Sequence, residues 1–291
     1  MRPQTICAKP QEGLLEIPSF KQQVKCAFDR ADDYDRHANV QRQVASRLAQ
    51  QIGKLPLANN ARILEIGAGT GFLGEALLGQ FPEADWLMTD IAPAMLDRCR
   101  ARFVGQRNIR FAQLDGETPG ALGQGQQFDL ICSSLAAQWF TDLPHALDRL
   151  LGFVKPGGFL LISTLAQGTF REWISAHAAC GYAAGTPVYP EIASLRQMRF
   201  SSATGHVDEH IFVDHPADGF TFLRSLRAIG AGTALSGHRP LGAPELRRVV
   251  RQFEATGSRV SYNVAFCQFT RRPKWFQDAD EIKLSLRERI P

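Results

Sequence analysis

Three glycines and three acids carry the first chemical signal in this chain. Gly67, Gly69 and Gly71 stand at alternate positions in Ile63-Leu-Glu-Ile-Gly-Ala-Gly-Thr-Gly-Phe72, with Glu65 two residues ahead of them. Such glycines let the backbone turn sharply and let a ligand approach with no Cβ in the way. Asp90 lies about 20 residues on, the separation at which a carboxylate accepts hydrogen bonds from both hydroxyls of a ribose. Asp115, at the end of a further apolar stretch, is placed to accept from an adenine amino group, and Met95 to face the adenine ring. Ile91, Gly116 and Ser133, each beside one of these strand ends, complete a candidate site for a nucleoside-bearing cofactor.

The elements that must position these residues alternate. Arg62 to Ile66 is a short apolar run of a buried parallel strand, and Phe72 to Leu78 has helical spacing. Asp85–Asp90, Ile109–Ala112, Phe128–Ser133 and Phe159–Ser163 read as further strands, with helices from Pro93 and over Leu143 to Val154. Lys155-Pro-Gly-Gly158 reads as a turn. Ahead of the sheet, Ser19 is an N-cap for a helix to Phe28, and a second helix covers Val40 to Leu48, so that 19–53 forms an N-terminal lid. Beyond Ser163 the alternation stops. Residues of about 166–203 are helical in pieces, broken by Gly181, Gly185, Pro187 and Pro190, and read as a cap insertion over the strand edges. His206–Val213 and Tyr262–Phe269 are strand-like, and Pro216–Ile229 and Ala243–Glu254 helical. Residues 1–18 read as a loose extension and 271–291 as a polar tail.

Two ligands compete for the glycine loop. A dinucleotide site needs its third glycine at position 72, where this chain has Phe72. With Glu65 the loop reads E-x-G-x-G-x-G instead and resembles motif I of class I S-adenosylmethionine-dependent methyltransferases. That resemblance implies an α/β Rossmann-like fold: a seven-stranded, mostly parallel sheet with helices on both faces and the last strand antiparallel. It also implies S-adenosylmethionine as cofactor. An unliganded tight turn is the remaining reading, and the acid at Asp90 counts against it.

Bulk properties narrow the class. The chain has 291 residues, 44% hydrophobic and 21% charged, as in a soluble globular protein. No apolar run spans a membrane and no basic-then-apolar leader is present, so the cytoplasm is the expected location. Six scattered cysteines without a C-x-x-C pair read as reduced thiols. A net charge of +4 is too mild to indicate nucleic acid but suits an acidic partner. His206, His210 and His215 lack metal-site spacing, so no metal is expected.

Three further stretches are similar to one family, the malonyl-acyl-carrier-protein O-methyltransferases of biotin synthesis. They are Ala27-Phe-Asp-Arg-Ala31 with Tyr34, His37-Ala38 and Gln41-Arg42; Leu135-Ala-Ala-Gln-Trp139 with Thr164-Leu-Ala-Gln-Gly168; and Leu223 to Ala231 with His238-Arg-Pro-Leu241. The resemblance implies methylation of the free carboxylate of a malonyl group on acyl carrier protein. It implies Tyr34 as the residue closing the pocket, Gln138 and Trp139 lining it, and Arg224 or Arg227 holding the carboxylate or the carrier chain. Arg196, Arg199, Arg247, Arg248 and Arg251 are then docking charges for an acidic carrier. From spacing alone Tyr34 reads equally as a packed ring, and the arginines as solvated helix faces. A small-molecule methyltransferase and a non-catalytic cofactor-binding scaffold are the competing functions.

Overall fold

A computed structural model describes residues 19–123, 125–231 and 238–273. Ser19 opens helix α1 (Phe20–Asp29) with a reciprocal cap: the Gln22 amide donates to its hydroxyl, and its own amide to the Gln22 side chain. A single turn, α2 (Tyr34–His37), follows, and α3 (Asn39–Ile52) buries Val40, Val44, Leu48 and Ile52 at helical spacing. Then come β1 (Arg62–Ile66), α4 (Phe72–Leu78), β2 (Asp85–Asp90), α5 (Pro93–Arg102), β3 (Ile109–Gln113), β4 (Phe128–Ser134), α6 (Leu143–Gly152) and β5 (Val154–Leu165). The chain continues through α7 (Arg171–Ala179), α8 (Ile192–Arg196), β6 (Ala203–Asp214), α9 (Gly219–Ala228), α10 (Ala243–Ala255) and β7 (Val260–Arg271).

These strands form one seven-stranded sheet in the order β3-β2-β1-β4-β5-β7-β6. All neighbours from β3 to β5 are parallel, whereas β7 runs antiparallel to both β5 and β6. The order reverses between β1 and β4, and an open sheet of this kind receives ligands beyond the strand C-termini at that point. One face of the sheet packs on α3, α4, α7 and α10, and the other on α6 and α8.

One expectation needs correction. Lys155-Pro-Gly-Gly158 is not a turn ahead of the fifth strand but an irregularity inside it. Phe128 pairs with Val154, and pairing resumes at Leu130 with Phe159, so the extra residues bulge out with Gly157 at φ +81°. The region 166–203 divides. Trp173 of α7 packs on Phe222 and Phe253 at 5.5 and 5.4 Å, in the helical layer on one face. Leu195 of α8 joins the core on the other. Residues 1–18 and the tail from 274 lie outside the described residues.

Candidate active site

The glycine loop folds as its sequence requires. Gly67, Gly69 and Gly71 have φ of +64°, +56° and +96°, backbone that side-chain-bearing residues avoid. Asp90, at the end of β2, holds the loop in place: the amides of Gly69 and Ala92 donate to its two carboxylate oxygens at 2.9 and 2.8 Å. A Cβ on Gly67 would meet that of Ala136 at 2.3 Å, whereas at Gly69 it would meet nothing within 4 Å. The middle of the loop is open to a cleft of about 890 Å³.

That cleft holds most of the expected cofactor set. Glu65, Gly67, Gly69, Asp90, Ile91, Met95 and Gly116 line it, and the lid contributes Lys21, Val24, Phe28, Tyr34 and Gln41. Burial raises the Asp90 carboxyl to about 6, against the pull of the Ala92 and Gly69 amides. Burial and then the charge of Asp90 raise Glu65 to about 8. The Gly74 amide at the start of α4 works against that rise, and Glu65 Oε2 makes no hydrogen bond of normal geometry to a described residue, so it is able to accept from a donor such as an amino group. A buried acid with a free acceptor oxygen, a glycine cradle and a second acid at the next strand end are the features an amino-acid nucleoside fits.

Other expected residues fall elsewhere. Asp115 does not line the cleft. Its carboxylate accepts from the Glu117 amide at 3.0 Å and from Lys21 Nζ at 2.7 Å, and Lys21 also reaches Glu117 at 2.6 Å. The lid helix is thereby clasped to the loop after β3. Burial works against the charges of both Lys21 and Glu117, yet their contact leaves the lysine raised and the glutamate lowered. Ser134, not Ser133, lines the cleft; the Ser133 hydroxyl is buried and has no partner among the described residues. Gly71 is not exposed to the cleft either, and a Cβ there would strike Phe103 at 2.6 Å.

Tyr34 joins this cleft to a second one. The second chamber, of about 450 Å³, shares Phe28, Tyr34, Gln41, Leu135 and Trp139 with the first. Gln138, Leu165, Phe170, Tyr189, Leu226, Ile229, Ala231 and Tyr262 complete its wall. Tyr34 packs its ring on Phe72 at 6.1 Å, and Trp139 meets Phe20 and Phe28 of the lid at 6.1 and 5.9 Å. Leu135 (φ +49°) and Phe170 (φ +61°) are held in left-handed backbone at this wall, the kind of strain that accumulates at functional sites. Of the second chamber, Tyr34, Gln138 and Trp139 were expected to line a pocket, and Phe28, Leu135, Leu165, Ile229 and Ala231 lay within the family-like stretches. So did Gln41 and Leu226, but Phe170, Tyr189 and Tyr262 carried no signal at all.

The arginines line neither chamber. Arg224 is exposed and bonds Thr221 at 2.8 Å, and Arg227 is exposed one turn along α9. Arg196 lies 3.6 Å from Glu209, and Arg199 donates to the carbonyls of Arg196 and Met198. Their helical phase, which composition does not show, turns them to the surface. Arg247, Arg248 and Arg251 are exposed on α10 and bond no described residue. Among the described residues no three metal-ligating side chains converge.

Comparison with known proteins agrees with this layout. A family model described as a methyltransferase domain matches residues 64–160, which run from β1 into β5. A Bacillus YcgJ protein of solved structure superposes with a TM-score of 0.54 at 17% identity, over 77% of this chain and 97% of that one. The two chains share a fold. The malonyl-acyl-carrier-protein O-methyltransferase of Magnetococcus marinus is 42% identical over 84% of this chain and 90% of its own. The chain belongs to the malonyl-acyl-carrier-protein O-methyltransferase family. The biotin biosynthesis bifunctional protein BioCD of Bordetella avium is 45% identical over 85% of this chain, which spans about half, 52%, of that longer relative. Within the family, a relative from Paenibacillus is 37% identical over 72% of this chain.

Proposed function

We propose that this protein transfers a methyl group from S-adenosylmethionine to the free carboxylate of a malonyl group borne by acyl carrier protein, giving the methyl ester that enters biotin synthesis. The relatives named for that reaction support the reading. The observation that carries it is the second chamber, whose described wall contains no Asp, Glu, His, Lys or Arg. A phenol or catechol acceptor needs a base to remove its proton. A malonyl carboxylate is already ionised at neutral pH and needs none. The buried tyrosines do not supply one, since burial raises the phenols of Tyr34, Tyr189 and Tyr262 above their ordinary value.

S-adenosylmethionine, when bound, supplies a methyl group on a cationic sulfur. The chain's own residues bind, align and exclude water. Glu65, the glycine loop and Asp90 hold the amino-acid and ribose portions, and Ile91, Met95 and Gly116 form the adenine side. Tyr34 and Trp139, on the wall common to both chambers, keep water from the junction.

Tyr34→Phe is expected to lower turnover several-fold while cofactor affinity stays near normal, because the ring and its packing on Phe72 remain. Tyr34→Ala should lose closure and cut turnover far more. A pH–rate profile with a step at a tyrosine pKa would contradict a positioning role, and full turnover in Tyr34→Ala would remove the lid assignment.

Methyl transfer from labelled cofactor to malonyl carrier protein, malonyl-CoA and a quinone precursor tests the function directly, with the carrier substrate expected to be used best. Carrier docking falls to Arg247, Arg248 and Arg251, which bond no described residue, in place of Arg196 and Arg199, which already have partners. Neutralising the α10 three should raise KM for malonyl carrier protein and flatten its rise with salt. Neutralising Arg196 and Arg199 should do neither, and the opposite ranking would reverse the docking face.

A further inference from the structure

Among the described residues, the acceptor chamber offers hydrogen-bond donors but no cation. Lys21 lines only the cofactor cleft, and its ammonium is held by Asp115 and Glu117. Arg42 and Arg102 lie over the Phe72 ring at 4.1 and 4.9 Å and line no part of this chamber.

Donors without partners are present instead. The indole N–H of Trp139 is buried on the wall between the two chambers and bonds no described residue; Gln138 Oε1 on the same wall is an acceptor likewise without a described partner. Gln41, on the same wall, makes no side-chain hydrogen bond to a described residue, and neither do the phenols of Tyr189 and Tyr262. Both phenols stay protonated, raised by burial and, at Tyr262, further by Asp214 and Tyr189. The Trp86 indole is likewise unpaired but sits in the core at 0% exposure, whereas that of Trp139 stands at a cavity wall, where a bound acceptor could satisfy it. A carboxylate offers about four lone-pair sites, enough for several donors at once.

We infer that the acceptor carboxylate is held by neutral donors, the Trp139 indole, the Gln41 amide and the Tyr189 and Tyr262 hydroxyls, with no arginine or lysine in contact. The inference rests on the carboxylate acceptor proposed above. Its chemical logic lies in how charge changes during transfer. The carboxylate oxygen forms its bond to the methyl carbon as the carbon–sulfur bond breaks and leaves its electron pair on sulfur. No proton moves, and an anion and a cation both become neutral. A bidentate arginine would bind the anion strongly and lose that contact as the ester forms, which raises the barrier. Neutral donors lose less, and apolar walls favour the disappearance of charge.

The test uses the full chain with S-adenosylhomocysteine bound and titrates malonyl-pantetheine and its methyl ester by calorimetry. Tyr189→Phe with Tyr262→Phe should weaken binding of the acid roughly ten-fold or more, the loss expected for bonds to a charged group, and leave the ester nearly unchanged. Arg224→Ala with Arg227→Ala should leave both ligands unchanged. Should the double phenylalanine variant fail to fold, Gln41→Leu on the half-exposed face of α3 is titrated in its place, and a selective loss of the acid is again expected. Unchanged acid binding in the donor variants, or its loss in the arginine pair, overturns the inference. Methyl transfer by the unmutated protein is measured in parallel. Transfer to malonyl thioesters with donor variants unaffected removes this inference alone, whereas absence of any transfer removes the proposed function with it.

Discussion

Gly69→Val is expected to abolish cofactor binding while the fold survives. Gly69 sits at φ +56°, where a side chain costs about 1–2 kcal/mol, and more for a β-branched one. An added Cβ meets no protein atom within 4 Å, so the loss of stability should be limited to that backbone strain. The new methyl groups would stand in the open space at the cleft wall, where the ligand must approach. The neighbouring glycines behave differently: Gly67→Val drives its Cβ onto Ala136 and Gly71→Val onto Phe103, at 2.3 and 2.6 Å. Those two should fail to fold well. Calorimetry on Gly69→Val should therefore show S-adenosylmethionine affinity reduced by roughly a hundred-fold or more, about 3 kcal/mol, with a melting temperature only a few degrees down. Retained affinity would mean that the loop is a turn and not a cradle.

Asp90→Ala carries the second large effect, and it reaches both binding and stability. Removing the carboxylate strands the amides of Gly69 and Ala92, at about 1–3 kcal/mol for each donor that water does not reach. It also removes the acceptor proposed for the ribose hydroxyls, so affinity should fall about ten-fold or more. Asp90→Asn keeps an acceptor oxygen and should fall between. The carboxyl's rise from 3.8 to about 6 adds a pH signature. Because the folded value lies above the unfolded one, this group's contribution to stability is complete below about pH 4 and is lost as pH climbs through 6. Binding has the opposite sign, since the ionised form is the better acceptor: affinity should rise between pH 5 and 7 and level off above. Denaturant titrations and calorimetry across that range check both signs. A flat affinity profile in the unmutated protein, or an unchanged step in Asp90→Asn, would assign the titration to another group.

Much of this layout is written in short stretches of chain. The glycine loop, Asp90 and the Ser19 cap were legible because each depends on backbone conformation and on partners a few residues away or at the ends of adjacent parallel strands. The first five strands followed from the alternation of apolar runs, which is also local, and the seven-stranded sheet with its antiparallel last strand from the resemblance to class I methyltransferases. What the sequence did not show was decided by contacts between distant residues. Asp115 is occupied by Lys21 because α1 folds back over the sheet, bringing together residues 94 positions apart. Ser134 rather than Ser133 reaches the cleft because pleat parity depends on where β4 ends, and a shift of one residue turns a side chain to the other face. Arg224 and Arg227 face solvent because the packing of α9 sets its rotation. Tyr189 and Tyr262 come from a loop and from the inserted strand β7, and only the closure of the tertiary structure brings them to one chamber with Gln41 and Trp139. Conformational preference and spacing act over one or two turns of chain, so they determined the cofactor cradle; the acceptor chamber is made by side chains that meet only when the layers pack, and that was settled in three dimensions.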